Sequence, residues 1–117
     1  MQKLKILILC NLLIAYGCNT KPDYENLPLK DKEGNYQAVV EIPSGTNLKI
    51  EFDPSLQKFI PDQRNGIDRI IEFLPYPGNY GFIPSTYSDP DKGGDGDALD
   101  VLILGQSVKT GEILPIK

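Results

Sequence analysis

This chain of 117 residues contains no histidine and no tryptophan. The first absence excludes Ser-His-Asp and Cys-His nucleophilic catalysis and any zinc site built on imidazole. Proton transfer must then run through carboxylate, lysine, tyrosine or water. Cysteine is scarce too. Cys10 lies in an apolar N-terminal stretch and Cys18 just after it, so a chain processed between them keeps one thiol and forms no internal disulfide. Positive charge is in deficit, with 12 Lys and Arg against 16 Asp and Glu and a net charge of −4. Nucleic-acid binding needs a basic patch, and this composition argues against it. No segment shows a convincing amphipathic helical period, and there is neither an internal repeat nor a low-complexity tract.

Long apolar runs are absent except at the start. Met1 to Gly17, "MQKLKILILCNLLIAYG", has a basic beginning (Lys3, Lys5), an almost uncharged apolar stretch and small residues before Cys18. This is the layout of a secretory leader, and the apolar part is too short to span a bilayer comfortably. "AYGC" resembles the lipobox at which bacterial lipoproteins are cleaved and acylated on the new N-terminal cysteine, although Tyr16 is bulky for that position. The expectation is a signal peptide over 1–17, a flexible tether lipidated at Cys18 over 18–34, and a single domain over 35–117. Export to a bacterial cell envelope, periplasm or surface, follows. Loss of the leader removes Lys3 and Lys5 and no acid, leaving 10 basic against 16 acidic residues, a net charge of −6.

What is present reads as strands. "YQAVVEIP" is β-branched and stops at Pro43; "NLKIEFD" sets Leu48, Ile50 and Phe52 against Lys49, Glu51 and Asp53. Asn65 and Gly66 stand between two apolar runs, and both tolerate positive φ, so they predict a hairpin. "DALDVLILG" predicts a buried strand and "GEILPIK" a further one. With 10 prolines and 11 glycines as punctuation, short antiparallel strands in a sandwich or small barrel are expected.

The densest chemistry is "DPDKGGDGDALDVLIL", where Asp89, Asp91, Asp95, Asp97 and Asp100 fall within twelve positions. Carboxylates this close repel one another unless a cation lies between them. Hard oxygen donors suit Mg²⁺ or Ca²⁺. A non-catalytic calcium-binding surface module is one alternative, although an EF-hand would need flanking helices and a terminal Glu that "VLIL" does not supply. An acidic-rimmed β-scaffold is another. Two further clusters can be read plainly: Tyr76 and Tyr80 in "LPYPGNYGFIP" as packing, and Lys49, Glu51 and Glu41 as a salt-bridged strand face.

Taken in order, "VVEIP", "LKIE", an arginine ahead of "YPGNYGFIP", and "DGDALDVLIL" resemble the family I soluble inorganic pyrophosphatases from about Ala38 to Lys117. The resemblance implies an OB-like five-stranded β-barrel and Mg²⁺-dependent hydrolysis of pyrophosphate to two phosphates. It implies that Asp95 and Asp100 bind Mg²⁺ and that Asp97 is the base toward the attacking water. Lys49, Arg69 and Tyr80 would hold phosphate oxygens, with Arg64 an alternative to Arg69; Glu41, Glu51 and Tyr76 would order water and metal around them. The family pattern also calls for two later aspartates and a lysine that these residues do not contain. The expectation is therefore an N-terminal portion of such an enzyme, weak or silent in turnover, with an open sheet edge able to pair with a second copy.

Overall fold

The computed structural model describes residues 21–117; the leader and Cys18 lie outside the described residues. Eight short strands follow one another: β1 (Tyr36–Ile42), β2 (Ile50–Asp53), β3 (Lys58–Pro61), β4 (Gln63–Arg64), β5 (Ile67–Asp68), β6 (Asn79–Ile83), β7 (Leu99–Ile103) and β8 (Ile113–Ile116). The one helical segment among the described residues is a 3-10 turn over Pro90–Lys92. The principal sheet is antiparallel in the order β7-β6-β1-β8, and β2–β3 and β4–β5 form two separate ribbons. Neither ribbon nor outer strand closes the sheet on itself, so the architecture is an open, mainly β one.

β1 is the core strand because it has neighbours on both edges, β6 and β8. Ala38, Val39, Val40 and Ile42 are fully buried. Such a run of consecutive buried apolar residues belongs to a strand covered on both faces rather than to the half-exposed alternation of a surface strand. Gly81 makes the approach of β6 feasible: a Cβ there would sit 1.8 Å from the Val39 carbonyl oxygen. Between Val40 and Ile42 the register with β6 slips, Val40 facing Gly81 and Ile42 facing Tyr80, which leaves Glu41 as the extra residue of a bulge. Bulges re-aim side chains, and here the re-aimed side chain is a carboxylate. The hairpin expected at Asn65–Gly66 is present, with φ of 55° and 76° at its two turn residues as a type I′ turn requires.

Two expectations are corrected. β7 is not buried: Leu99 is 46% exposed and Leu102 45%, with Leu104 beyond the strand 77% exposed. β7 hydrogen-bonds only to β6 within its sheet, so an apolar sequence there gains one strand neighbour instead of two. The described part of the expected tether, 21–34, is not free either. Tyr24 donates a hydrogen bond to the Gly111 carbonyl, 2.9 Å. Ser85 Oγ donates to Leu27 O, the Gln37 side chain to Pro28 O and the Gln37 amide to Leu29 O. The charged alternation of the segment suggested solvation, but Tyr24, Leu27 and Leu29 turn inward and are half-buried. Their burial and these hydrogen bonds oppose the entropy of ordering the segment.

Candidate active site

Three parts of the chain converge on one cleft of about 730 Å³. The bulge of β1 supplies Glu41; β2 and the residue just before it supply Glu51 and Lys49; β6, β7 and the loop between them supply Tyr80, Asp95, Asp97 and Asp100. The common location follows from topology. β6 lies between β1 and β7, and Tyr80 of β6 and Asp100 of β7 are diagonal neighbours across that pair, since Tyr80 faces Leu102 and Asp100 faces Phe82.

Glu41 is the most perturbed carboxyl. Burial pushes it up to about 7; the Phe52 amide, donating to its Oε1 at 2.8 Å, works against this, and the Glu51 and Asp100 carboxylates push in the same direction as burial. The Tyr80 phenol is held well above its ordinary value, first by burial and then by Asp100. Both shifts come first from burial, with neighbouring carboxylates adding to it.

The cationic side is built by backbone pairing. The Lys49 amide donates to Arg69 O (2.9 Å), the Arg69 amide to Asp62 O (2.8 Å) and the Asp62 amide to Lys49 O (2.9 Å). Side chains repeat the link: Asp62 Oδ2 accepts from Arg69 Nη1 at 3.0 Å and lies 3.6 Å from Lys49 Nζ, while Lys49 also pairs closely with Glu51. Arg69 holds the Asp62 carboxyl below its ordinary value. Asp62, which links Lys49 to Arg69 without lining the cleft, was missed by motif reasoning. A signal was available: a two-residue turn at Asn65–Gly66 pairs Gln63 with Asp68, so Asp62 must come opposite Arg69. The same register puts Arg64 at the hairpin tip, paired with Ile67 and exposed, away from Lys49.

Not every expected residue enters the cleft. Arg69 stands behind Lys49 and reaches it through Asp62, and Tyr76 packs its ring 5.2 Å from that of Tyr80 without lining the cleft. The acidic loop is shaped by its own backbone: Ser88 donates to Asp97 O at 2.7 Å, Gly96 donates to Ser88 O at 2.8 Å, and Asp95 Oδ1 accepts from the Asp97 amide at 3.1 Å. A Cβ at Gly94 would meet Ser88 at 2.4 Å, so the glycine permits this closure. Asp89 caps the 3-10 turn through the Asp91 amide and pairs with Lys92, and neither Asp89 nor Asp91 lines the cleft. Asp95, Asp97 and Asp100 are exposed toward it. Among the described residues no three acidic side chains converge closely enough to form a ready cage, yet the donors around the cleft are all hard oxygens, which fit Mg²⁺ by chemistry.

A second missed residue is Asn79, which is 1% exposed. Its Oδ1 accepts from the Ser44 and Val108 amides at 3.1 and 3.0 Å, and its Nδ2 donates to Gln106 O at 2.8 Å. It fastens the loops after β1 and β7 to β6, one residue before Tyr80.

Residues 38–117 match the family model for inorganic pyrophosphatase. The chain belongs to the inorganic pyrophosphatase family. It is 36% identical over 110 residues to the inorganic pyrophosphatase of Kluyveromyces lactis, covering 80% of this chain and 38% of that one. Against the Thermus thermophilus enzyme the identity is 39% over 82 residues, 68% of this chain and 41% of the relative. Among solved structures, the type I inorganic pyrophosphatase from P falciparum superposes with a TM-score of 0.72 at 29% identity, over 81% of this chain and 34% of that one. A Trypanosoma cruzi vacuolar soluble pyrophosphatase solved in complex with PPi gives 0.63 at 29% identity, over 80% and 37%. The chain thus spans about two-fifths of the length of the curated relatives it matches. The open sheets described above fit an incomplete form of the OB-like barrel of these pyrophosphatases.

Proposed function

We propose that this chain supplies the Lys49, Tyr80 and acidic-loop portion of a Mg²⁺-dependent pyrophosphate-hydrolysing site. The observation that carries this is the convergence of Glu41, Lys49, Glu51, Tyr80, Asp95, Asp97 and Asp100, from distant parts of the sequence, on one cleft. Lys49 and Tyr80 would hold phosphate oxygens, and Arg69 would join them by exchanging Asp62 for the anion. Asp97 would accept the proton of the attacking water. Asp95 and Asp100 are the first candidates to hold Mg²⁺, with Glu41 and Glu51 ordering its water. Bound Mg²⁺ would supply what the side chains lack, a lowered pKa for water and charge compensation for the phosphates. Because no three acids converge on their own, affinity for Mg²⁺ alone should be weak and should rise when a diphosphate is present.

The test is calorimetry with Mg²⁺ and a non-hydrolysable diphosphate. Binding should be mutually dependent and should be lost in Asp95→Asn and Asp100→Asn. Equal affinity in those variants would remove the acidic loop from the site. Tighter binding of Ca²⁺ than of Mg²⁺, with no effect of diphosphate, would overturn the enzymatic reading.

The anchor is a separate part of the proposal. "AYGC" and the short apolar leader support export and acylation at Cys18. Only Asn19 to Asp23 separate Cys18 from Tyr24, which is docked on the domain. A fully extended chain of that length spans at most about 20 Å, so a lipid on Cys18 would hold the domain close to the bilayer. Cys18→Ala should release the protein from membranes in fractionation; a variant that stays membrane-bound would refute acylation as the hold.

A further inference from the structure

The segment before residue 38 lies outside the family match, yet one of its side chains sits in a fitted socket. The Tyr24 ring meets Phe52 edge-on at 5.4 Å and Phe59 at 5.0 Å, at 68° and 75°. These are the T-shaped geometries that aromatic quadrupoles favour. Its hydroxyl donates to Gly111 O. Gly111 has φ of +85°, and a Cβ there would stand 2.8 Å from Tyr24 Oη and 3.2 Å from Phe59, so the bare backbone leaves room for the phenol. Phe52 and Phe59 face each other across the β2–β3 ribbon, and Phe52 stacks on Phe82 of the principal sheet at 6.1 Å. Tyr24 therefore clamps the ribbon at the point where it meets the sheet.

That point matters for the cleft. Phe52 follows Glu51 directly, and its amide is the donor to Glu41. The principal sheet carries Glu41, Tyr80 and Asp100, while the β2 ribbon carries Glu51 with Lys49 just before it. We infer that residues 23–30 form a strap and that Tyr24 is a positioning residue, fixing the ribbon that bears Lys49 and Glu51 against the sheet that bears Glu41, Tyr80 and Asp100. The importance of that alignment for substrate rests on the function proposed above. Small displacements of positioned groups are costly, up to about a hundredfold for 1 Å.

The experiment uses the full chain and the variants Tyr24→Phe, Tyr24→Leu and Tyr24→Ala at a temperature where circular dichroism shows each folded. Two quantities are read: amide hydrogen exchange of β2 and β3, and affinity for methylenediphosphonate in the presence of Mg²⁺. Tyr24→Ala should accelerate exchange in β2–β3 more than in β1 or β6 and weaken diphosphate binding by roughly tenfold. Tyr24→Phe keeps the edge-to-face packing and should stay within about threefold of the parent. Tyr24→Leu, which restores apolar volume without the ring, should behave like Tyr24→Ala. A purely structural filler would instead let Leu rescue as well as Phe, and that result overturns the inference. So does unchanged exchange in β2–β3, or faster exchange with unchanged affinity. If the parent chain fails to bind the diphosphate, the proposed function fails, and the strap is then decided by exchange alone: acceleration confined to β2–β3 supports it and uniform acceleration refutes it.

Discussion

β1 and β7 are written in the same alphabet and end in opposite environments. "YQAVVEI" and "LDVLI" are both short β-branched or leucine-rich strands, yet Val39, Val40 and Ile42 are at 0% exposure while Leu99 and Leu102 are near 45%. The difference lies in the neighbours. β1 is enclosed by β6 and β8 and packs against the aromatic ribbon side, whereas β7 has β6 on one edge and nothing beyond it among the described residues. Apolar sequence states that a strand can be buried; strand order decides whether it is.

The contrast can be broken most severely at Gly81, where the β1–β6 approach leaves no room for a methyl. Gly81→Ala should destabilise by at least about 3 kcal/mol, the range of severe overpacking, or prevent folding, as measured by denaturant melts. Ile42→Ala should follow with about 2–5 kcal/mol. The same truncation on the other strand, Leu102→Ala, should cost about 0.5 kcal/mol or less. A large loss at Leu102 would show that β7 is covered in solution.

Between these two truncations in size lies a pH effect confined to the bulge of β1. The Glu41 carboxyl sits at about 7 in the folded protein against an ordinary 4.5. The folded state therefore prefers the protonated form, and the associated stability is complete below about pH 4.5 and lost as pH rises through 7. Glu41→Gln keeps an acceptor for the Phe52 amide and should flatten that window, gaining on the order of 2–3 kcal/mol relative to the parent at pH 8. Melts from pH 4 to 8 that run parallel for the two proteins would refute the shift.

A further small effect, on binding, sharpens the cationic side. Asp62→Asn keeps an acceptor for Arg69 but removes a charge beside Lys49 and Arg69. Diphosphate affinity should rise roughly two- to fivefold, as for a partly exposed charge, while Asp62→Ala, which also removes the acceptor, should lower it. Equal effects of Asn and Ala would show that Asp62 acts by charge alone.

Most of the residues that line the candidate cleft were legible because they fall in short local motifs. Asp95, Asp97 and Asp100 sit on one loop and strand, and Lys49 and Glu51 on alternate positions of another. The residues that escaped notice act across elements. Asp62 matters because a hairpin register brings it to Arg69, Asn79 because the loops after β1 and β7 meet on its amide, and Tyr24 because Gly111, far along the chain, leaves it a space. A charged, proline-bearing segment also reads as a tether until the groove that receives its three inward residues is known.

By itself, then, the sequence determined the strand periodicity, the Asn65–Gly66 turn, the histidine-free acidic composition and the motifs that place the chain in its family. These depend on a residue's own φ preferences, its near neighbours and the identity of its side chain. Tertiary structure alone decided that β7 is exposed, that Glu41 bulges into the cleft and is raised in pKa, that Arg69 stands behind Lys49, and that Tyr24 belongs to the fold. Burial, desolvation and register between distant strands are properties of pairs of surfaces, and no single segment contains both members of the pair.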